Sequence, residues 1–169
     1  MVRNSTHGEY EELWLRSLGR KAAVEWRKPR DGQRARVYRA EQSVARILED
    51  ANLGSVYSTQ AMVNQVVDSD WWQTAAPHRP TVEVADGRGR RSGGSVGGEI
   101  RLPRRYRTPL IVLHELAHEW VMCPVRAAHG PEFAGAFLSL VRVFHSCRAR
   151  DLLSEAFITE GVSVSGRFT

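Results

Sequence analysis

The sequence predicts a single α+β domain in which helices flank a small mixed sheet. Three observations support this prediction. Apolar residues recur at helical spacing in several segments, residues 81–85 alternate between apolar and polar as a strand does, and turns rich in glycine or proline separate these segments. The chain has 169 residues, of which 42% are hydrophobic and 25% charged. Such a chain is expected to bury a core without disulfide support.

Residues 1–33 are predicted to form an N-terminal arm, and residues 34–169 the domain itself. In the arm, Leu13, Trp14 and Leu18 fall at helical spacing, so part of it is expected to be helical. A turn signal at its end precedes a stronger helix that runs to about residue 50. That helix has apolar residues on one side and charges on the other, and Gly54 is expected to stop it.

Two strands are predicted in the middle of the chain, with a glycine-rich loop between them. The first is residues 81–85, and the second contains Val96, Ile100 and Leu102 before Pro103 ends it. They are expected to form a hairpin, or two strands of one small sheet, directly ahead of the next helix.

Other segments give weaker signals. Trp71 and Trp72 are expected in the core, although exposed aromatic rings near basic residues could instead stack on bases. Residues 61–67 suit either a short helix or a strand. The last predicted elements are helices around residues 133–144 and 149–157 and a strand-like segment at residues 162–164.

A helix over residues 110–120 is predicted to be the centre of the domain. Thr108 can cap its start, Pro109 suits the first helical position, and Pro124 marks its end. Apolar residues cover most of its circumference, so the helix is expected to be buried. Buried histidines need polar partners, and a metal ion is one way to supply them.

Two histidines of this helix, His114 and His118, lie four residues apart and therefore on one face. Imidazoles at that spacing can bind one Zn²⁺ through nitrogens at roughly 2.0–2.1 Å. Glu115 is placed to take a proton from an attacking water, as in the His-Glu-x-x-His motif of zinc hydrolases. By itself, the pentapeptide is equally typical of an amphipathic helix with two histidines and a surface glutamate.

A third zinc ligand is predicted at His129, in the segment that follows the helix. Gly130 and Pro131 begin a new helix immediately, so His129 is expected on a turn that can fold back toward the first pair. Three protein ligands and one open position are the usual design of a catalytic zinc site. Glu132 is an alternative third ligand, or a carboxylate that holds a ligand imidazole in place.

With the His-Glu-Leu-Ala-His motif at residues 114–118 and the His-Gly-Pro-Glu-Phe motif at residues 129–133, the chain resembles the SprT-like (Spartan-like) zinc metalloproteases. It is similar, too, to small actinobacterial metallohydrolases of unassigned substrate. The resemblance covers roughly residues 81–144. It implies a zincin-like fold, with a small mixed sheet packed on the active-site helix, and zinc as cofactor. It also implies a protein or peptide substrate; the eukaryotic members act on proteins that are attached to DNA. The site residues it implies are the zinc ligands His114, His118 and His129 and the catalytic base Glu115.

The basic residues are unevenly distributed. The net charge is +5, and of the 24 basic residues only Lys21 and Lys28 are lysines. Arginines crowd the first forty residues and again residues 88–107. These arginine-rich segments could bind DNA or another acidic partner, or they could form a solvated basic surface.

A cytoplasmic location without a membrane span is expected. The longest apolar run near the motif, residues 110–113, is too short to cross a bilayer, and the N-terminus lacks the apolar core of a signal peptide. Only Cys123 and Cys147 occur, so a disulfide framework is not expected and a reducing compartment fits.

These patterns together predict a zinc-dependent hydrolase, and more narrowly a metallopeptidase. Its substrate is expected to lie extended along the strand at residues 96–102. No residue stands out as the stabiliser of the transition state, because Tyr106 and Arg107 are near the motif only in sequence. Two other functions stay open: hydrolysis of a non-peptide amide by the same site, and a non-catalytic, zinc-stabilised DNA-binding module.

Overall fold

The computed structural model describes residues 30–89, 93–121 and 127–166, so most of the predicted arm lies outside the described residues. The described part contains six α-helices and a three-stranded mixed sheet, which confirms the α+β class. None of its helices has the length and apolar character needed to cross a bilayer. The elements in chain order are α1 (Arg34–Leu48), α2 (Val56–Val67), α3 (Asp70–Ala75), β1 (Glu83–Asp86), β2 (Gly94–Val96), β3 (Glu99–Leu102), a 3-10 helix (Arg104–Tyr106), α4 (Pro109–Val121), α5 (Pro131–Phe144) and α6 (Cys147–Glu160).

Helix α1 ends earlier than predicted. Its C-cap is Glu49, which adopts a left-handed conformation (φ 51°) and donates its backbone N–H to the carbonyl of Ala45. Gly54 lies in the following loop instead, where its N–H binds the side chain of Asn52. The prediction that Gly54 stops the helix is therefore wrong, because the helix terminates through a left-handed non-glycine residue.

The ambiguous segment at residues 61–67 is helical and belongs to α2. Ser55 starts this helix by accepting the N–H of Ser58 at 2.9 Å. The strand predicted at residues 162–164 does not form. Instead, the backbone N–H and carbonyl of Ser163 bind the side-chain amide of Gln33, at 3.1 Å each.

The two predicted strands belong to one small sheet, which confirms the second of the two alternatives, but they do not form a hairpin with each other. Strand β1 pairs with β3 in parallel, and the hairpin is formed by β2 and β3. Gly97 and Gly98 both have positive φ, 63° and 87°, as a two-residue type I′ turn requires. The strand order β1-β3-β2 makes β3 the central strand, so its flanks are already paired.

The hairpin is tied to helix α4 by Glu119. This buried carboxylate accepts the backbone N–H of Gly98 at 2.8 Å and the guanidinium of Arg79 at 2.7 Å. Both donors lie far from Glu119 in sequence, so one side chain sets the position of the sheet relative to the helix.

Helix α4 lies in the core, as predicted, and begins at Pro109. The predicted stop, Pro124, lies outside the described residues. Trp72 is fully buried and donates its indole N–H to the carbonyl of Arg79, while the half-buried Trp71 packs edge-on against Trp120. The prediction that both tryptophans are core residues is confirmed. The core residues of α4 are Leu110, Val112, Leu113, Leu116 and Ala117.

Candidate metal centre

The two histidines of α4 face each other across one helical turn. Their Nε2 atoms are 3.2 Å apart. Tetrahedral ligands at 2.0–2.1 Å from a metal are separated by about 3.3 Å. The pair therefore already has the spacing of two ligands of one ion.

His129 joins this pair from the turn that precedes α5. The turn is closed by the N–H of Gly130 bonding the carbonyl of Ala127, and Pro131 then begins the helix. Nitrogens of His114, His118 and His129 lie within 4.8 Å of one another. The bend thus folds back in the way the sequence predicts.

A metal ion fits this donor set. The Nε2 atom of His129 is buried and has no hydrogen-bond partner among the described residues. Buried polar atoms are rarely left unsatisfied, and a metal would satisfy this one. Three nitrogen donors are, in addition, a typical protein contribution to a catalytic zinc site.

Glu132 does not belong to this cluster. Among the described residues, the group that could hold a metal consists of the three histidines alone. The Glu132 carboxylate instead turns toward its neighbour, with Oε2 only 3.5 Å from where a Cβ on Gly130 would lie. The geometry favours His129 over Glu132 as the third ligand.

Two carboxylates that sequence reasoning missed stand behind the imidazoles. One carboxylate oxygen of Asp31 accepts a hydrogen bond from the backbone N–H of His129 at 3.2 Å. The other oxygen lies 2.7 Å from Nδ1 of the His129 ring. Glu41, buried on α1, places Oε2 3.3 Å from Nδ1 of His114. The Asp31 carboxylate orients the His129 ring so that its Nε2 is left for the metal. Glu41 lies close to the His114 ring without a hydrogen bond to Nδ1.

Local spacing places Glu41 on a shared helix face but does not identify its partner. Arg34, Tyr38 and Glu41 follow the spacing i, i+4 and i+7, which is one face of α1, and Asp31 lies three residues before that helix begins. In the sequence, Asp31 is typical of a turn and Glu41 of a solvated helix face, so neither residue indicates this role. Their partners lie far away in the chain, and for Asp31 and His129 the separation is 98 residues.

Burial and neighbouring charges set the protonation of the three rings. Burial lowers the pKa of His118 well below its usual value, and the nearby His114 and His129 lower it further. Burial and His114 lower the pKa of His129 as well, against the opposing effect of Asp31. Burial disfavours a charged His114, but the carboxylates of Glu41 and Glu115 outweigh it and raise its pKa. His118 and His129 are therefore neutral at pH 7, as metal ligands must be.

Phe133 forms an apolar floor under the cluster. Its ring centroid lies 4.4 Å from that of His118, 4.8 Å from that of His114 and 5.0 Å from that of His129. Because Phe133 is buried and touches all three rings, it restricts their movement and excludes water from behind them. This contact explains the phenylalanine four residues after His129.

Glu115 is buried, with 5% of its surface exposed, and is covered by the start of β2. A Cβ on Gly93 would lie 2.7 Å from Glu115 Oε1 and 2.5 Å from a methyl carbon of Leu102. Only glycine permits so close an approach. Gly93, at the end of the glycine-rich loop, is therefore packed against the predicted catalytic base.

Tyr38, on α1, lies beside the cluster. Its ring is nearly parallel to the ring of His114, and the two ring centroids are 5.5 Å apart. The centroid of the His129 ring lies 5.1 Å from that of Tyr38. The guanidinium of the exposed Arg34 sits 5.5 Å from the centre of the Tyr38 ring. Burial raises the pKa of Tyr38, and the charges of Glu115 and Glu41 raise it further, while Arg34 opposes them.

Tyr106 and Arg107, considered above only for their place in the sequence, have other partners. The buried Arg107 binds Asp86 at 2.8 Å and the carbonyl of Gly54 at 2.9 Å, so it holds loops together. The guanidinium of Arg105 lies over the ring of Tyr106, 4.7 Å from the ring centroid.

The remaining histidines and the described cysteine are separate from the cluster. Nε2 of His145 binds Asp50 at 3.0 Å. Cys147 and His78 are exposed, and His78 contacts the backbone carbonyl of Glu119. His7 and Cys123 lie outside the described residues.

No family model, no curated protein and no solved structure matches this chain. The resemblance to SprT-like metalloproteases consequently stays an expectation drawn from the two motifs.

Proposed function

We propose that this protein is a zinc-dependent hydrolase, and specifically a metallopeptidase. The observation that carries the proposal is the convergence of His114, His118 and His129, whose ligand nitrogens lie within 4.8 Å of one another beside the buried Glu115. A purely structural zinc site normally closes with four protein ligands and has no need of a base.

The chain's own residues divide the work. His114, His118 and His129 would hold the zinc, which when bound supplies a Lewis acid that acidifies water and polarises a carbonyl group. Glu115 accepts a proton from the attacking water and delivers it to the leaving nitrogen, a role worth roughly 10²–10⁴-fold in rate. Asp31 fixes the orientation of the His129 ring, and Glu41 places a carboxylate beside that of His114.

A peptide substrate is supported by the position of β2. This strand is at an edge of the described sheet, and the residue before it, Gly93, lies against Glu115. An extended peptide that added to this edge would pass directly by the base. The strand at residues 96–102 suggested above is less suitable, because most of it belongs to the central strand β3.

The DNA-binding alternative has less support. Several arginines of the two basic segments bind groups within the chain. Arg36 donates to the carbonyl of Gly161, Arg39 pairs with Glu160, and Arg101 pairs with Glu99. These three guanidiniums therefore already have partners within the protein.

The test is metal analysis combined with a protease assay. Wild type, Glu115→Gln and the exposed control Glu155→Gln are purified, loaded with zinc, and assayed on fluorescein-labelled casein and on small non-peptide amides. All three are expected to hold one zinc ion, and Glu115→Gln alone is expected to lose hydrolysis. Full activity of Glu115→Gln, or a wild type that binds no zinc, would end the proposal. Cleavage of the small amides alone would select the non-peptide alternative.

A further inference from the structure

We propose that the Tyr38 hydroxyl donates the hydrogen bond that stabilises the substrate carbonyl oxygen as it becomes negative. The proposal rests on the hydrolase function argued above and supplies the transition-state group that the sequence motifs do not contain. It makes Tyr38 a catalytic residue that comes from α1, outside both histidine motifs.

Tyr38 has the position that such a donor needs. It lies against two of the three candidate ligands, His114 and His129, and it is half-buried, so one side of it remains open to a substrate. Glu115 directly follows His114, the residue on whose ring Tyr38 stacks. Base and donor can therefore face the same carbonyl group.

Arg34 strengthens the phenol as a donor toward the substrate. Its guanidinium lies 5.5 Å from the centre of the Tyr38 ring. A positive charge beside a phenol strengthens its O–H as a hydrogen-bond donor to an oxygen that becomes negative.

The proton balance of the reaction is compatible with this role. The oxygen of water bonds to the carbonyl carbon, one of its protons goes to Glu115, and the carbon–nitrogen bond breaks as the nitrogen receives that proton. Tyr38 keeps its proton throughout and only donates a hydrogen bond to the carbonyl oxygen. Removing one donor of this kind typically lowers kcat by about 10²–10³-fold.

The experiment compares Tyr38→Phe with wild type and with Tyr57→Phe, whose ring is 84% exposed on α2. Each zinc-loaded protein is titrated by calorimetry with phenylphosphonate, a tetrahedral anion, and with benzoate, a planar one. Tyr38→Phe is expected to keep its zinc and to bind phenylphosphonate at least about tenfold more weakly, as expected for a lost hydrogen bond to a charged group. Benzoate binding should change less, and Tyr57→Phe should behave as wild type.

Hydrolysis of casein provides the second readout. Tyr38→Phe is expected to lower kcat about 10²-fold with little change in KM, because the hydrogen bond strengthens only in the transition state. If no protein in the series hydrolyses casein or amides, the hydrolase proposal fails, while the phosphonate titration still reports on Tyr38.

Three results would overturn the inference. The first is a Tyr38→Phe variant that binds phenylphosphonate as tightly as wild type. The second is loss of zinc from that variant, which would make Tyr38 a packing residue of the ligands. The third is a zinc-loaded wild type that binds phenylphosphonate no better than benzoate.

Discussion

At the level of single residues, the carboxylates behind the imidazoles do the most to define the site. Asp31 holds His129 by two contacts, through the ring Nδ1 and through the backbone N–H. The other nitrogen of that ring, Nε2, is buried and has no hydrogen-bond partner among the described residues. The orientation of that ring is thus built by the protein before any metal arrives.

Asp31→Ala is therefore expected to lower the zinc affinity about 10–100-fold, because a ligand imidazole loses the partner that fixes its orientation. The affinity is measured by competition with a chromophoric chelator. Asp151→Ala, which removes an exposed carboxylate on α6, serves as the control. Equal affinities of the two variants would show that Asp31 is not coupled to the metal.

Gly93→Ala is expected to lower activity strongly without removing zinc. Its new methyl group would lie 2.7 Å from Glu115 Oε1, so either the carboxylate or the strand must move. Gly166→Ala, where an added Cβ meets nothing within 4 Å, is the matched control. The measurements are casein hydrolysis and zinc content, and unchanged hydrolysis in Gly93→Ala would contradict the close packing on the base.

At the level of elements, α1 contributes more to the site than its distance in sequence suggests. One of its faces carries Arg34, Tyr38 and Glu41, with Asp31 just ahead of the first turn. The adjacent face buries Val37, Ala40 and Val44 in the core. The helix thus packs as an ordinary amphipathic element and presents a polar stripe to the metal ligands at the same time.

The link between the hairpin and α4 predicts a large stability effect at Glu119. Glu119→Ala leaves the nearly buried Arg79 without its carboxylate and the N–H of Gly98 without its acceptor. Breaking a buried pair of this kind costs about 3–5 kcal/mol of the free energy of unfolding. Glu99→Ala removes an exposed partner of Arg101 and should cost less than about 1 kcal/mol.

The free energy of unfolding of both variants is measured by urea denaturation of the apo-protein, so that zinc binding does not contribute. A cost at Glu119 as small as that at Glu99 would mean that the hairpin is held in place by other contacts.

The sequence could predict the features that depend on residues close together in the chain, but not those that depend on distant ones. His114, Glu115 and His118 share one helix, so local spacing is enough to find them, and Gly130 and Pro131 mark the bend that brings His129 back. The partners of Asp31 and Glu41 depend on how α1 docks, which no local pattern encodes. The parallel pairing of β1 with β3 was missed for the same reason, since alternation predicts strands but not their neighbours.

At the level of the whole molecule, the cluster joins three separate parts of the fold. His114 and His118 come from α4, His129 from the turn before α5, and Asp31 reaches His129 from the start of α1. A metal held by these groups binds the folded chain and not the unfolded one. It is therefore expected to stabilise the entire domain.

With free zinc at a hundred times its Kd, the bound metal is expected to add about 2.7 kcal/mol to the free energy of unfolding. Removal of the zinc by a chelator should therefore lower Tm by roughly 5–10 °C. Differential scanning calorimetry with and without added zinc measures the shift. His118→Ala is the control, and its Tm should not respond to zinc. A zinc-dependent shift of the same size in that variant would place the metal elsewhere.

The central claim is that three imidazoles hold one zinc ion. Zinc K-edge X-ray absorption of the purified wild type measures it most directly, because it counts the ligands and gives their distances. The predicted result is three imidazole nitrogens at about 2.0–2.1 Å with one further oxygen, and loss of zinc or of one imidazole in His129→Ala. Zinc bound through sulfur, the same number of imidazoles in His129→Ala as in wild type, or no bound zinc at all would contradict the account.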